Sequence, residues 1–308
     1  MKPETLSFYH QAVRRTVERI IDGLDDALDL ELLARAAALS PFHFHRVFRG
    51  MVGETPLELH RRLRLERAAW RLLNVSTSVT SIAFDAGYDT HEAFTRAFRD
   101  RYGCSPSEFR RSERQGGMEC VRPRQIELAA RSAIHYRANG RAPVTDYVIE
   151  GEQTMHVDIT DMQELRIATL RHIGPYNRIG ETFGRLGEIV GAAGLIGPDT
   201  MMLAIYHDDP ETTAQQDLRS DAAITISPEA TLPEGLVEQR IPAGRYACTT
   251  HLGPYEQLAD TWERFMGEWL PRSGQRFGQG VSFEVYRNTP GQVPKNELRT
   301  DIYIPLAQ

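Results

Sequence analysis

The sequence predicts a multidomain protein: an all-α domain with two helix-turn-helix units, followed by a duplicated α+β domain with antiparallel sheets. Three observations carry that expectation. The chain has 308 residues, enough for two ordinary domains that each bury a core. A motif recurs fifty residues apart in the first third of the chain, and a second motif recurs about eighty residues apart in the last half.

Composition narrows the class. Hydrophobic residues make up 41% and charged residues 25%, a globular balance that sets aside disordered and fibrous proteins. No run approaches the roughly 18 apolar residues of a membrane span. The start, MKPETLSFYH, lacks a signal peptide's apolar core, so a cytoplasmic location with no membrane partner is expected. Cys104, Cys120 and Cys248 show neither a disulfide framework nor zinc-knuckle spacing; three free thiols, no metal and no cofactor are expected. The net charge of −6 is unevenly divided, with 18 Lys and Arg against 16 Asp and Glu in residues 1–115, and 18 against 26 in the rest. A surplus of two cations says little about nucleic acid, because where the cations sit counts for more than their total.

The first repeat aligns SPFHFHRVFRGMVGETPLELHR (40–61) with THEAFTRAFRDRYGCSPSEFRR (90–111). Identities fall at Phe44/Phe94, Arg46/Arg96, Phe48/Phe98, Arg49/Arg99, Gly53/Gly103, Pro56/Pro106, Glu58/Glu108 and Arg61/Arg111. Each copy begins with a short apolar helix, LELLARAAA or VTSIAFDAG. A tight turn follows, with Ser40 or Thr90 as N-cap and Pro41 at the first helical position of copy one. Two helices joined in this way have helix-turn-helix geometry.

In copy one, Phe44, Val47, Phe48 and Met51 form the inward i, i+3, i+4, i+7 stripe. Phe42, His45, Arg46 and Arg49 are left on the opposite, exposed face. In copy two, Phe94, Ala97, Phe98 and Arg101 or Tyr102 lie inward or at the edge, while Glu92, Thr95, Arg96 and Arg99 point out with His91 beside them. Such a face suits a major groove, where arginine forks onto guanine, glutamate accepts from cytosine and an exposed phenylalanine meets a thymine methyl. The basic helix LHRRLRLERAAWRLL (59–73) would hold the two units about one DNA turn, roughly 34 Å, apart. Competing readings are a His43/His45 metal pair, a core position for Phe42 and plain solvated arginines. Metal is disfavoured because i, i+2 rings leave a helix on different sides and no further ligands complete a set. Solvated arginines are disfavoured because Arg46 and Arg96 recur at one register.

These residues, with IAFDAGYDTHEAFTRAFRDRYGCSPSEFRR, resemble the AraC/XylS family of bacterial transcription regulators over about residues 8–112. The resemblance implies seven helices, two units on successive major grooves of double-stranded promoter DNA, and recruitment of RNA polymerase or repression. Carried onto this sequence, the base-facing candidates are Phe42, His45, Arg46, His91, Glu92, Thr95 and Arg96; Arg49 and Arg99 complete the two outward faces. Members often have glutamine where His45 and His91 stand, so no operator sequence carries over.

The second repeat aligns RIATLRHIGPY (166–176) with RYACTTHLGPY (245–255), LAIYHDDP (203–210) with FEVYRNTP (283–290), and LRSDAAITI (218–226) with LRTDIYIPL (298–306). Each half, about 154–226 and 234–308, reads as two strands, a Gly-Pro-Tyr corner, an amphipathic helix and two further strands. Helical stripes run Ile179, Phe183, Leu186, Val190 and Leu258, Trp262, Phe265, Trp269. Domain boundaries follow at 1–112, a linker at 113–153 with Gly116, Gly117, Pro123 and Pro143 as breakers, and 154–308.

Strand alternation puts Glu284 with Tyr286, and Ala204 with Tyr206, on one face. A pseudo-twofold between the halves would bring that face to their shared centre. At position 284 the repeat breaks its own symmetry, a carboxylate answering an alanine. Glu284 is either an exposed strand residue or a carboxylate in an aromatic cleft that holds a cation with tyrosine and tryptophan rings. Tyr176 and Tyr255 either line that cleft or cap the helix starts.

The HIGPY/HLGPY pair and the FEVYRNTP and LRTDIYIPL endings resemble the GyrI-like small-molecule-binding domain of Rob-type regulators, over about 154–308. The resemblance implies a pocket containing Glu284 that takes amphiphilic or cationic aromatic compounds. Tyr286, Tyr206, Tyr176, Tyr255 and Trp262 are the other lining candidates. The combined expectation is a DNA-binding regulator, not an enzyme, modulated by a small amphiphilic or cationic effector. Some stand-alone relatives resemble hydrolases, so the alternative is binding or hydrolysis of a toxic compound coupled to autoregulation.

Overall fold

The computed structural model describes residues 3–37, 39, 41–115, 134–136, 155–208, 210 and 213–307. They fall into two compact units, one of residues 9–38 and 48–150, the other of residues 1–8, 39–47 and 151–308. The helices are α1 (Pro3–Asp22), α2 (Leu30–Ala36), α3 (Pro41–Val52), α4 (Pro56–Asn74), α5 (Val79–Asp85), α6 (His91–Tyr102) and α7 (Pro106–Gln115). The sheet region follows. Most of the expected linker, and Ser40 with its expected capping role, lie outside the described residues.

In the helical unit the repeat is visible as repeated local chemistry. Gly53 and Gly103 both take positive φ, 81° and 75°, where a side chain would be strained. Two residues on, Thr55 and Ser105 each exchange hydrogen bonds with a glutamate three positions later, Glu58 and Glu108. This reciprocal capping satisfies the first amides of α4 and α7. Thr90 caps α6 as expected, its hydroxyl accepting from the Ala93 amide at 3.1 Å. Gly87 (φ 77°) sits in the α5–α6 turn, where an added Cβ would meet the Arg64 guanidinium at 2.4 Å. Phe94, Phe98 and Tyr102 of α6 pack with Phe109, Ile82, Leu65 and Leu72 in one core.

Several arginines of the basic helix α4 serve the fold. Arg62 is buried and grips Glu54 through two hydrogen bonds and Glu66 through one. Glu66 also accepts from the Tyr136 amide at 2.9 Å, tying residues 134–136 to the helix. Burial works against ionisation of Glu66, but bonds from His135, Arg62 and that amide hold its carboxyl below the usual range. Arg64 donates to the Leu24 carbonyl at 2.6 Å. The expectation of three free thiols fails at Cys104, which is disulfide-bonded; an odd number of cysteines still allows one pair. Cys248 is free, and Cys120 lies outside the described residues.

In the other unit the strands are β1 (Asp158–Met162), β2 (Leu165–Ile173), β3 (Met202–Tyr206), β4 (Arg219–Thr225), β5 (Val237–Ile241), β6 (Gly244–Leu252), β7 (Phe283–Tyr286) and β8 (Arg299–Pro305). They form one antiparallel sheet in the order β1-β6-β8-β7-β3-β4-β2-β5. The order reads the same from both ends once each strand is exchanged for its counterpart in the other half, the signature of a pseudo-twofold. The first strand of each half pairs with the second strand of the other, β1 on β6 and β5 on β2. Helix α8 (Ile179–Ala192) covers one face with Ile179, Leu186 and Val190 against Ala168, Ala204, Ala222 and Ile224. Its counterpart α9 (Leu258–Arg264) passes through a π turn (Phe265–Trp269) into the short α10 (Leu270–Arg272).

The repeated His-x-Gly-Pro-Tyr is a structural corner. His172 and His251 each contact a threonine of the following helix, Thr182 or Thr261, through Nδ1. Each also contacts the carbonyl of the corner proline, Pro175 or Pro254, through Nε2 at 3.1 Å. A carbonyl only accepts, so Nε2 carries the proton and Nδ1 accepts from the hydroxyl. Gly174 and Gly253 take φ of 130° and 129°.

On the opposite face, Asp221 is buried and accepts from Arg171, His207 and Gln239. Burial opposes the charged form, yet those three donors hold its carboxyl down at about 2, against an ordinary 3.8. A lowered carboxyl pKa adds stability above the unfolded value and loses it as pH falls through the folded one. Asp221→Asn should therefore cost about 2 kcal/mol at neutral pH, and the gap between variant and wild type should close as pH falls from about 4 toward 2. Denaturant unfolding at several pH values measures it; a gap independent of pH would show that Asp221 is not an ionised anchor.

Candidate ligand site and nucleic-acid interface

Helix α6 presents the outward face the repeat predicts. Glu92, Arg96 and Arg99 are exposed, and His91 and Thr95 are half-buried beside them. The aromatic core beneath fixes the helix: Phe98 stacks on Tyr102 with ring centroids 4.3 Å apart, and the Tyr102 hydroxyl donates to the Leu65 carbonyl. A rigid helix with two exposed guanidinium groups one turn apart can present both to base edges.

Helix α3 departs from expectation. His45, expected on the exposed face, is 4% exposed, and Arg46 and Arg49 are half-buried; the Phe42 side chain lies outside the described residues. The start of α3, residues 39–47, belongs to the same compact unit as the sheet. His43 is buried there, its Nε2 3.0 Å from Ser282 Oγ and its ring 3.9 Å from that of Phe277. The Arg46 guanidinium lies 4.9 Å from the centre of the Trp262 ring. Helical periodicity finds a second face on a helix but says nothing about distant residues that pack against it.

The sheet face beneath α8 and α9 gathers the residues the sequence singled out. In the β3–β7 pairing, Ala204 stands directly opposite Glu284. These two positions are also each other's counterparts in the repeat, so the pseudo-twofold passes between them. Around them the lining is duplicated: Tyr206 answers Tyr286, Tyr176 answers Tyr255 and Phe183 answers Trp262. Tyr176 meets Tyr206 edge-on at 4.7 Å, Tyr255 meets Tyr286 at 5.3 Å and Phe183 meets Tyr286 at 5.5 Å. Tyr176 and Tyr255 also start the short turns before the helices and donate to the carbonyls of Asp208 and Asn288. They thus both line the box and hold its corner.

Glu284 is not an exposed strand glutamate; it is 2% exposed. Trp262 Nε1 donates to its Oε1 at 2.7 Å and the Tyr286 hydroxyl donates to its Oε2 at 2.9 Å. Tyr286 has spent its one proton, so the contact at 3.0 Å between the two phenols has Tyr206 donating. Burial raises the Glu284 pKa above its ordinary 4.5, only partly offset by the Trp262 and Tyr286 bonds and the charge of Arg46. Burial and the neighbouring carboxylate push the Tyr286 hydroxyl well above its usual value. The arrangement is a desolvated carboxylate among aromatic side chains, a setting that can suit a cation with an apolar body.

Sequence reasoning passed over three contributors. Phe183 entered only as part of a helical stripe, although its alignment with Trp262 would have found it. Ser220 and Thr300, counterparts on β4 and β8, are fully buried, and their hydroxyls have no hydrogen-bond partner among the described residues. A separate notch of about 240 Å³, lined by Glu164, Arg166, Thr225, Pro228 and Arg240, shares no residue with this box. Arg166 there is engaged by three carbonyls and Glu238.

Residues 155–307 match the GyrI-like small molecule binding domain, and residues 33–112 match a helix-turn-helix domain. A DNA gyrase inhibitor of Yersinia enterocolitica is 32% identical over 139 residues, 44% of this chain and 87% of that protein. The probable transcriptional regulator YgiV of Escherichia coli is 27% identical over 158 residues, 50% of this chain and 98% of its own length. The helical part is 32% identical over 106 residues to the HTH-type transcriptional activator RclR of Escherichia coli, 34% of this chain and 37% of that one. The chain belongs to the GyrI-like family, its small-molecule-binding domain carried behind an AraC-type helix-turn-helix domain.

Proposed function

We propose that this chain is a promoter-binding transcription regulator whose state is set by a small amphiphilic cation held at Glu284. The observation that carries the reading is the pairing, in one chain, of an exposed Glu92/Arg96/Arg99 helix face with a buried carboxylate in an aromatic box. Arg96 and Arg99 of α6 read bases, with Glu92, His91 and Thr95 contributing shorter-range contacts. The first unit adds Phe42, His45, Arg46 and Arg49, whose face must be uncovered to reach DNA. RNA polymerase is the partner that responds to the bound regulator. For the cation, Glu284 supplies the charge, Trp262, Tyr176 and Tyr255 the walls, and Tyr206 and Tyr286 the hydroxyl relay.

One observation favours a second reading. A carboxyl whose pKa burial raises above its ordinary value, next to two phenols, is also placed as a proton donor. Hydrolysis of the ligand would then accompany sensing, and consumption of a bound compound with time in wild type but not in Glu284→Gln would establish it.

Arg96→Ala should weaken specific promoter binding by about 1–3 kcal/mol and relax discrimination at one base position. A binding-site selection on wild type and variant measures both, and unchanged discrimination would put the readout on another face. Cation binding needs Glu284 ionised and its pKa is raised, so affinity for a hydrophobic cation should climb as pH rises above 4.5 and then level off. Glu284→Gln should bind about tenfold or more weakly, a loss of at least about 1.4 kcal/mol, with no such pH dependence. Equal affinities in a fluorescence titration would remove Glu284 from the site.

A further inference from the structure

The candidate cation site already has a cation beside it. Arg46, at the start of α3, lies over Trp262 with its guanidinium carbon 4.9 Å from the ring centre. Trp262 is the same side chain that donates to Glu284. The segment that carries Arg46 is seated by His43, between the Phe277 ring and Ser282 Oγ. Burial, then the charge of Arg46, lowers the His43 pKa to about 3, so the ring is a neutral anchor that adds no charge of its own.

We propose that Arg46 is an internal occupant of the Glu284 site, and that an external cation must displace it to bind. Among the described residues Glu284 is the carboxylate bonded to Trp262 and Tyr286, and the position opposite it on β3 is Ala204. One buried negative charge compensates one positive charge; a second cation would leave a net charge out of water, which is strongly unfavourable. Competition follows from that charge count. Because the displaced residue is also a candidate for reading bases, ligand binding would release a guanidinium for DNA. The shift is a population change driven by the ligand's preference for the state in which Arg46 has left. The inference rests on the reading of Glu284 as a cation site.

The test uses the full chain and rhodamine 6G, a fluorescent hydrophobic cation, titrated against wild type, Arg46→Gln, Arg46→Lys and Glu284→Gln. With its competitor removed, Arg46→Gln should bind about tenfold tighter than wild type, the factor expected if the open state is a minor one. Arg46→Lys, which keeps the charge, should stay near wild type, and Glu284→Gln should bind more weakly. Hydrogen exchange gives a readout that needs no ligand. The amides of residues 42–47 should exchange faster in Arg46→Gln and Glu284→Gln than in wild type, and faster in wild type once rhodamine 6G is added. Weaker or unchanged binding by Arg46→Gln, with Glu284→Gln still impaired, would overturn the competition and leave the cation site standing. Failure of every protein to bind rhodamine 6G would overturn both, while exchange unaltered in the two ligand-free variants would show that Arg46 does not hold the segment.

Discussion

The central constraint in the sheet is the antiparallel pairing of β3 with β7. It joins the two halves of the duplicated domain and places Ala204 and Glu284, equivalent positions of the repeat, directly across from each other. Everything nearby can occur twice, and most of it does: two Gly-Pro-Tyr corners, two histidines bonded to helical threonines, two strand tyrosines and two helix aromatics. The position on the axis cannot. Directly opposed side chains in an antiparallel pair have Cβ atoms about 4.5–5.5 Å apart, and two buried carboxylates at that distance could not both ionise. Alanine on one side leaves room for a single charge.

That charge is held in an expensive place. A buried carboxylate loses its hydration, and here an indole N–H and a phenol O–H replace part of it. The replacement is incomplete, since the pKa remains raised. The site consequently favours whatever brings positive charge without bringing water. On the proposed reading, the aromatic side chains around it would add to that preference and favour cations with apolar bodies. The asymmetry of the helices serves the same end. Where α8 has Phe183, α9 has Trp262, whose N–H reaches the carboxylate, and the π turn follows directly in the same helical stretch.

Much of this was legible in the sequence, because duplication writes each device twice. Alignment of the halves located Glu284 as the broken equivalence and set it on one face with Tyr286, Ala204 and Tyr206. Alignment of 40–61 with 90–111 likewise found the cap Thr90 and the buried Phe94 and Phe98, whereas the reciprocal caps at Thr55 and Ser105 were seen only in the structure. Other features were illegible for definite physical reasons. The exchange of β1 and β5 between halves depends on long-range strand pairing, and a strand's own pattern names a face but no neighbour. Periodicity likewise cannot foresee that residues more than two hundred positions away, Phe277 and Ser282 against His43 and Trp262 against Arg46, pack on this helix. Nor does a basic helix announce which of its arginines are staples: Arg62 and Arg64 look like phosphate contacts until Glu54, Glu66 and the Leu24 carbonyl are seen beside them.

The facing of Ala204 and Glu284 also bears on how such a site could arise. Two identical halves, associating as separate chains about the same axis, would necessarily carry the same residue at both positions. They would present two carboxylates or none. Halves that differ at this one position, as they can within a single chain, escape that choice, so the lone buried charge requires the two halves to have diverged here.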